Sequence, residues 1–193
     1  MEFIIRVSQA EAELTAEASG EDCEDTDARD EAAAEVGLAR KAARLKALDV
    51  ARRNPGRLVV GADTVVAVGE KTLGKPRDAT DAARMLRALS GRAHRVSSAL
   101  AVAYDNGDGA VVVAEDSETS QVVFRELTEQ EIADYISSGE PMDKAGAYAV
   151  QGRGRELIEQ VEGSFLNVVG LPIEKLRSML AKLGWEPAAS TQD

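Results

Sequence analysis

The chain has 193 residues, a net charge of −11 at neutral pH and 44% hydrophobic residues, enough for one packed core. The acidic residues are concentrated in one stretch. Residues 11–35 hold eleven acidic side chains and one basic side chain, whereas residues 36–193 hold 22 acidic and 21 basic ones. Duplex nucleic acid would need a basic face. No apolar run reaches the roughly 18 residues of a membrane span, and the amino terminus lacks a signal-peptide pattern. Because Cys23 is the only cysteine, an intramolecular disulfide is excluded. These features favour a cytoplasmic globular protein without a nucleic-acid or membrane partner.

The first part of the chain predicts a strand, a polar loop, a helix and a second strand. Residues 2–7 are typical of a short strand, and the acidic stretch 11–35 predicts a solvated, partly disordered loop. From about residue 31 to 53, alanine and valine recur at helical spacing, until the breakers at 54–56 end the helix. Residues 58–68 form a valine-rich run, typical of a strand buried on both faces.

The rest of the chain continues to alternate between strands and helices. The predicted elements are a return strand within 69–74, a helix at 78–89, strands at 96–104 and 110–114, an extended segment at 117–124, a helix at 128–138, a short strand at 147–150 and a helix at about 172–183. Thr128 and Glu131 form a predicted capping box. Since no repeat or long linker interrupts the pattern, we predict a single α/β domain over 1–193, with a flexible tail at 186–193.

Asp63 is an ionisable residue within the apolar run 58–68. Burying an unpaired carboxylate costs several kcal/mol, so Asp63 requires an ionic partner, a metal ion or a water-filled cleft beside it. A structural ion pair and a catalytic acid or base explain its position equally well, because both kinds of site hold shielded carboxylates.

Two loops offer groups suited to a phosphorylated ligand. The segment 74–77 presents Lys75 between a glycine and a proline, which suits a cation aimed at phosphate oxygens but also an ordinary surface turn. No P-loop motif occurs in the chain. In the loop 139–152, Gln151 offers both a donor and an acceptor, as reading a base edge requires. An alternative for this loop is an ordinary surface segment with a weak Asp143–Lys144 ion pair.

Five segments follow one another across residues 36–184: G-A-D-T-V-V, L-G-K-P-R-D, M-L-R-A-L-S-G-R-x-H-x-V, D-K-A-G-A-Y-A-V-Q-G and E-G-S-F-L-N-V-V-G-L-P. Together they resemble the Maf family of nucleoside triphosphate pyrophosphatases, once called septum-formation inhibitors. The resemblance implies a strongly twisted mixed sheet flanked by helices, two lobes with the substrate in a central cleft, and a homodimer. The fourth segment is similar to the branch that converts dTTP and UTP, and related modified pyrimidine nucleotides, to the monophosphate and pyrophosphate.

The resemblance also implies roles in catalysis for residues at matching positions. Asp63 is expected to accept a proton from the attacking water. It is also expected to bind Mg²⁺ or Mn²⁺ together with an acidic residue that falls at Glu11 or Glu13. Lys75 and Lys41 are expected to neutralise negative charge on the phosphate chain.

Further residues are expected to bind the nucleotide. Thr64 and Gln151 are expected to set base specificity, and Lys144 and Gly146 to contact the substrate. His94, the only histidine, is expected to be a packing or hydrogen-bonding group rather than a metal ligand.

The chain departs from the family at its front. The family opens with a strand and an S-x-S-P-R-R motif whose arginines and hydroxyls grip the triphosphate, and no S-P-R-R occurs in this sequence. One hypothesis is an active pyrophosphatase. Its alternative is a catalytically impaired, nucleotide-binding regulator of cell division, because losing a phosphate clamp weakens transition-state binding. A plain structural domain is a third, and it predicts no nucleotide-dependent thermal shift.

Overall fold

The computed structural model describes residues 28–185 of the chain, with side chains from residue 33 onward. Its elements in chain order are α1 (Ala28–Arg52), β1 (Leu58–Val68), β2 (Lys71–Leu73), α2 (Ala79–Leu89), β3 (Ala93–Asp105), β4 (Ala110–Phe124), α3 (Glu129–Ser137), three 3₁₀ turns (Glu140–Asp143, Ala145–Ala147 and Gly152–Leu157), β5 (Ile158–Glu162), α4 (Phe165–Val169) and α5 (Ile173–Lys182). Strands and helices interleave, which confirms the predicted α/β class. None of these helices combines the length and the apolar character needed to cross a membrane.

The strands form one five-stranded sheet in the order β2-β1-β3-β4-β5. Every pairing in it is antiparallel. Short turns join β1 to β2 and β3 to β4. In the β3–β4 turn, Asp105 Oδ1 accepts the N–H groups of Gly107 (2.7 Å) and Gly109 (3.3 Å). The strands within 58–162 are thus antiparallel throughout, whereas the resemblance implied a mixed sheet. The strand predicted at 2–7 lies outside the described residues, as does the tail at 186–193.

Helix α1 packs on one face of the sheet through a stripe of small side chains. Ala39, Ala43, Ala47 and Ala51 are fully buried against Val65 and the alanines of β3. Glycine at position 61 makes this approach possible, since a Cβ there would lie 2.8 Å from the backbone nitrogen of Ala47 and overlap the carbonyl oxygen of Ala43. The small side chains thus bring the helix backbone close to β1.

The start of α1 corrects the loop predicted over 11–35. The helix begins at Ala28, so the final part of that stretch is helical. Glu35 is buried, and its Oε2 accepts from Arg95 Nε at 3.1 Å, with a second contact between the same groups. Alanines at 32–34 favour helix, and pairing with β3 offsets the cost of burying an acid.

The opposite face of the sheet carries the larger core. Its buried side chains come from β1, α2, β3, β4, α3 and the 3₁₀ turns: Val66, Leu86, Leu89, Val96, Phe124, Ile132, Tyr135 and Tyr148 are among them. At the far end of this face, Met179 of α5 packs on Leu100 and Val102. The core on this face is thus built from bulky aliphatic and aromatic residues, unlike the alanines of the α1 face.

Side chains cap the first turns of α2 and α3, and the second of these caps was predicted. Asp78 caps α2 by accepting from the backbone N–H of Asp81 at 2.8 Å. Thr128 and Glu131 form the predicted capping box, with Glu131 Oε2 accepting from the Thr128 N–H at 2.8 Å.

Three predictions for the sheet need correction. The strand predicted at 147–150 is absent; the chain there follows a 3₁₀ turn in which Gly146 and Ala147 both have positive φ, 70° and 59°. The separate segments 110–114 and 117–124 are one continuous strand, β4. Strand β5 was not predicted, because its charged residues obscure the alternation of an edge strand.

Candidate active site

The two residues at the centre of β1, Asp63 and Thr64, point to opposite faces of the sheet. This follows from strand geometry, in which successive side chains alternate. Strand β2 pairs only with residues 66–68 of β1, whereas β3 pairs along nearly its whole length. Among the described strands, none covers the second edge of β1 beside Asp63 and Thr64. With respect to these described strands we call it the open edge of β1, and Asp63 and Thr64 are each partly exposed.

On the α1 face, Asp63 forms an ion pair with a lysine that the sequence did not single out. Asp63 Oδ1 accepts from Lys46 Nζ at 2.8 Å, and each side chain is about one fifth exposed (20% and 19%). The carboxylate is thus paired, yet still open to water. Both explanations of Asp63, ion pair and proton acceptor, remain compatible with this geometry, because the carboxylate is paired but still partly exposed to water.

Lys46 could have been found from the helix pattern. It lies one turn after Ala42, which is buried, and next to Ala47 of the buried stripe. A cation beside the stripe that packs on the Asp63 strand is the signal. Lys41, the lysine implied by the resemblance, is exposed on the same helix five residues earlier.

On the other face, Thr64 lines a pocket of about 180 Å³. The pocket walls come from β1, β3, the loop before β5 and α4: Thr64, Val66, Val96, Asp143, Lys144, Ala145, Tyr148, Ala149, Val150, Gln151, Val168, Val169 and Gly170. The structure therefore brings together three predicted binding residues, Thr64, Lys144 and Gln151. A mostly apolar pocket with a few polar groups is typical of a small-ligand site.

A chain of hydrogen bonds beneath the pocket orients the Thr64 hydroxyl. Thr64 Oγ1 lies 2.8 Å from Ser98 Oγ, and Ser98 Oγ donates to the carbonyl oxygen of Asn167 at 3.1 Å. The fully buried Asn167 amide donates to the Val96 carbonyl and to Ser120 Oγ, both at 2.9 Å. Asn167 thereby fixes α4 against β3 and β4, and with it one wall of the pocket.

The loop that contains Lys144 is tied to the turn that contains Lys75. The N–H of Gly146 donates to the Gly74 carbonyl at 3.0 Å. The Lys144 ammonium pairs with Asp143 and, with a smaller contribution from Lys75, lowers the pKa of the Asp143 carboxyl. Lys144, which was predicted to contact the substrate, thus lines the pocket, and the turn that contains Lys75 is tied to the same loop.

Gly146 has a packing explanation. It is buried, and a Cβ there would lie 2.9 Å from a methyl group of Val66. Its positive φ of 70° is a second reason for glycine. A direct substrate contact at Gly146 stays a prediction.

His94 packs and forms a hydrogen bond, as its position predicted. It is buried, its Nε2 lies 2.8 Å from the Tyr148 hydroxyl, and its ring makes edge contacts with Phe124 and Tyr148. Burial lowers the pKa of His94 to about 4, against a weaker opposing effect of the Arg92 backbone. A neutral imidazole therefore supports Tyr148, which lines the pocket.

Of the three predicted metal-binding residues, Asp63 lies within the described part of the chain. No group of three His, Cys, Asp or Glu side chains converges within the described part of the chain. Mg²⁺ is commonly held by one or two carboxylates plus substrate phosphates, and Asp63 supplies one carboxylate at the open edge. Glu11 and Glu13 lie outside the described residues.

Comparison with known proteins shows the family of the chain. The model of Maf-like proteins matches residues 5–183, and the chain belongs to that family. Among curated relatives, a dTTP/UTP pyrophosphatase of Aquifex aeolicus is 48% identical over 148 residues, 77% of this chain and 75% of that protein. A dTTP/UTP pyrophosphatase of Geobacillus is 46% identical over 72% of this chain and 73% of its own length. One of Myxococcus xanthus is 45% identical over 176 residues, 91% of this chain and 85% of the relative.

Proposed function

We propose that the protein is a nucleoside triphosphate pyrophosphatase that hydrolyses dTTP and UTP to the monophosphate and pyrophosphate. The observation that carries the proposal is the alternation at Asp63 and Thr64, which puts a carboxylate on one face of β1 and a pocket of about 180 Å³ on the other, beside an edge that none of the described strands covers. Family membership and the names of the relatives support the substrate class. The alternative of a catalytically impaired regulator is not favoured, because those relatives are named as enzymes.

In the proposed mechanism, the base of the nucleotide lies in the pocket against Thr64 and Gln151. The triphosphate follows the open edge of β1, past Lys75 and Lys144, toward the Asp63–Lys46 pair. Water transfers a proton to the Asp63 carboxylate while its oxygen bonds to the α-phosphorus. The bond from that phosphorus to the oxygen shared with the β-phosphate breaks, and pyrophosphate leaves.

Cations balance the charge that develops on the departing pyrophosphate. Lys144, which lines the pocket, and Lys75, on the turn tied to its loop, are two candidates, and Lys41 of α1 is a third that the resemblance implies. Mg²⁺ or Mn²⁺, held by Asp63 with Glu11 or Glu13, would neutralise phosphate charge as a Lewis acid. The same resemblance underlies our proposal of a homodimer, which light scattering of the purified protein would test; the cytoplasmic location is proposed from the composition.

Pyrophosphate release from dTTP, UTP, CTP and 7-methyl-GTP with Mg²⁺ tests the proposal. We expect turnover of dTTP and UTP, and a loss of about 10²–10⁴ in Asp63→Asn, the usual contribution of a general base. Asp116→Asn is the matched control, because Asp116 is also a strand aspartate paired with a lysine, Lys175 at 3.3 Å, but lies away from the pocket. Wild-type turnover in Asp63→Asn, or equal losses in both variants, would contradict the role of Asp63.

A further inference from the structure

The carboxylate of Glu140 lies behind the loop that contains Gln151. Glu140 Oε1 accepts from the Tyr135 hydroxyl at 3.0 Å and from the Gly154 N–H at 2.9 Å. Its other oxygen, Oε2, accepts from the Arg153 N–H at 3.1 Å. One side chain at the start of a 3₁₀ turn thus holds the backbone that follows Gln151.

Tyr135 holds the backbone that precedes Gln151. Its side chain is buried at the end of α3, and its oxygen accepts from the Ala149 N–H at 3.1 Å. Because the same hydroxyl donates to Glu140, the two side chains form one connected unit, the Glu140–Tyr135 clasp. The clasp fixes residues 149 and 153–154 on both sides of Gln151, whose own side chain is exposed at the pocket.

The glycines of this loop are required by the closeness of the clasp. A Cβ at Gly152, where φ is +77°, would lie 2.7 Å from Glu140 Oε2. A Cβ at Gly154 would lie 2.7 Å from the Tyr135 oxygen and overlap the Ala149 carbonyl. Glycines at these positions therefore let a carboxylate and a phenol reach the backbone directly.

Glu140 is ionised in this arrangement. Partial burial opposes ionisation, but the N–H groups of Gly154 and Arg153 and the Tyr135 hydroxyl outweigh it and lower the pKa of Glu140. Hydrogen bonds to a charged acceptor are the stronger kind. The loop is thus held by charge-assisted bonds.

We propose that Glu140 and Tyr135 are positioning residues that set the orientation of the Gln151 amide and so determine which pyrimidine the pocket accepts. This inference rests on the proposed function. The physical reason lies in the amide itself, which can present its oxygen or its nitrogen to a base. On the edge of the base, uracil and thymine present a hydrogen-bond donor next to an acceptor, whereas cytosine presents them in the reverse order. A glutamine whose amide orientation is not set would therefore bind either kind of base.

Glu140→Gln tests the clasp, because it keeps the shape and removes the charge and one of the two acceptor oxygens. We expect the ratio of kcat/KM for UTP to kcat/KM for CTP to fall about tenfold, mainly through KM, with kcat on UTP within about threefold. Tyr135→Phe removes only the hydroxyl and should lower the ratio less. It also serves as the second variant if Glu140→Gln folds poorly.

Glu131→Gln is the matched control. Glu131 also accepts a backbone N–H and a hydroxyl, both from Thr128 at 2.8 Å, but in the capping box of α3 and not at the Gln151 loop. It should lower thermal stability and leave the UTP/CTP ratio unchanged. Equal ratios in Glu140→Gln and Glu131→Gln would overturn the proposal.

Gln151→Ala completes a double-mutant cycle. If Glu140 acts through Gln151, the double variant should lose no more selectivity than Gln151→Ala alone. Additive losses would contradict the inference.

Binding of α,β-methylene UTP and α,β-methylene CTP, measured by calorimetry on the same variants, separates this inference from the proposed function. If the wild type releases no pyrophosphate, the hydrolase proposal fails. The clasp would then be supported by a reduced binding preference in Glu140→Gln, and refuted by an unchanged one.

Discussion

The two faces of the sheet differ in the size of their side chains, and the difference separates two kinds of chemistry. The α1 face is lined by alanines and Gly61, so the helix backbone approaches β1 and brings Lys46 to Asp63. The opposite face holds large aliphatic and aromatic residues. Around Thr64 these leave a pocket. Small side chains thus support an ion pair at close range, and large ones enclose space for a ligand.

Because side chains alternate along a strand, two consecutive residues of β1 contribute to opposite faces of the sheet. Asp63 belongs to the α1 face and Thr64 to the pocket face, although their Cα atoms are adjacent in the chain. A change that disturbs one face should therefore affect one function more than the other. The following variants test that separation, from the largest expected effect to the smallest.

On the pocket face, we expect the largest effect from His94, whose titration should change the free energy of unfolding. The pKa of His94 is about 4 when folded and 6.5 ordinarily, because burial disfavours the charged ring. As the pH falls from 6.5 to 4, the imidazole of His94 takes up a proton in the unfolded chain but stays neutral in the folded chain. The free energy of unfolding should therefore fall by about 3 kcal/mol over that window. Urea unfolding at pH 7, 5.5 and 4.5 would measure it.

His94→Phe should remove this part of the pH dependence. Carboxylates titrate in both proteins, so the difference between wild type and variant isolates the histidine. Tyr148→Phe is the control, since it removes the hydrogen-bond partner and keeps the titrating ring. A wild-type pH slope in His94→Phe would show that the imidazole is not shielded.

The next effect is expected on the α1 face, from Gly61→Ala. The added methyl would press on the backbone of α1 at Ala43 and Ala47, which cannot yield as a flexible side chain could. Overpacking of this kind costs about 1–3 kcal/mol, measurable by denaturant unfolding. Gly37→Ala, at a helix position with open space around it, should stabilise by about 0.5–1 kcal/mol. Equal effects of the two variants would contradict the close approach.

The smallest effect is expected from Lys46→Met, which removes the partner of Asp63 and keeps most of the apolar stem. We expect turnover on dTTP to fall about tenfold, and the free energy of unfolding by about 1 kcal/mol, because the pair is partly exposed. Lys41→Met in parallel shows which lysine of α1 serves the site. Unchanged turnover in Lys46→Met would restrict Lys46 to a structural role.

Local patterns predicted much of the fold for physical reasons that apply within a few residues. The valine-rich run became β1, and the Thr128–Glu131 box became the start of α3. The strand predicted at 147–150 was wrong. Its apolar residues fit a strand, but positive φ at Gly146 and Ala147 turns the chain, and the contact of Gly146 with Val66 keeps it there.

The candidate site was predictable where one residue type in one motif implied its chemistry, and not where the site depends on contacts between distant elements. Thr64, Lys144 and Gln151 were expected to bind the nucleotide and do meet at one pocket. Lys46 was missed although its place beside the alanine stripe of α1 was a signal, and Glu140 was missed because nothing local distinguishes it from other surface charges.

By itself the sequence determined the α/β class, the acid in an apolar strand and the polar groups of the 139–152 loop, since hydrophobic period, turn residues and charge act over short ranges. Only the tertiary structure decided that Asp63 pairs with Lys46, that Thr64 faces the pocket, and that Glu140 and Tyr135 hold the Gln151 loop. Each of these depends on how closely one element packs on another, and the packing of small and large side chains sets that distance.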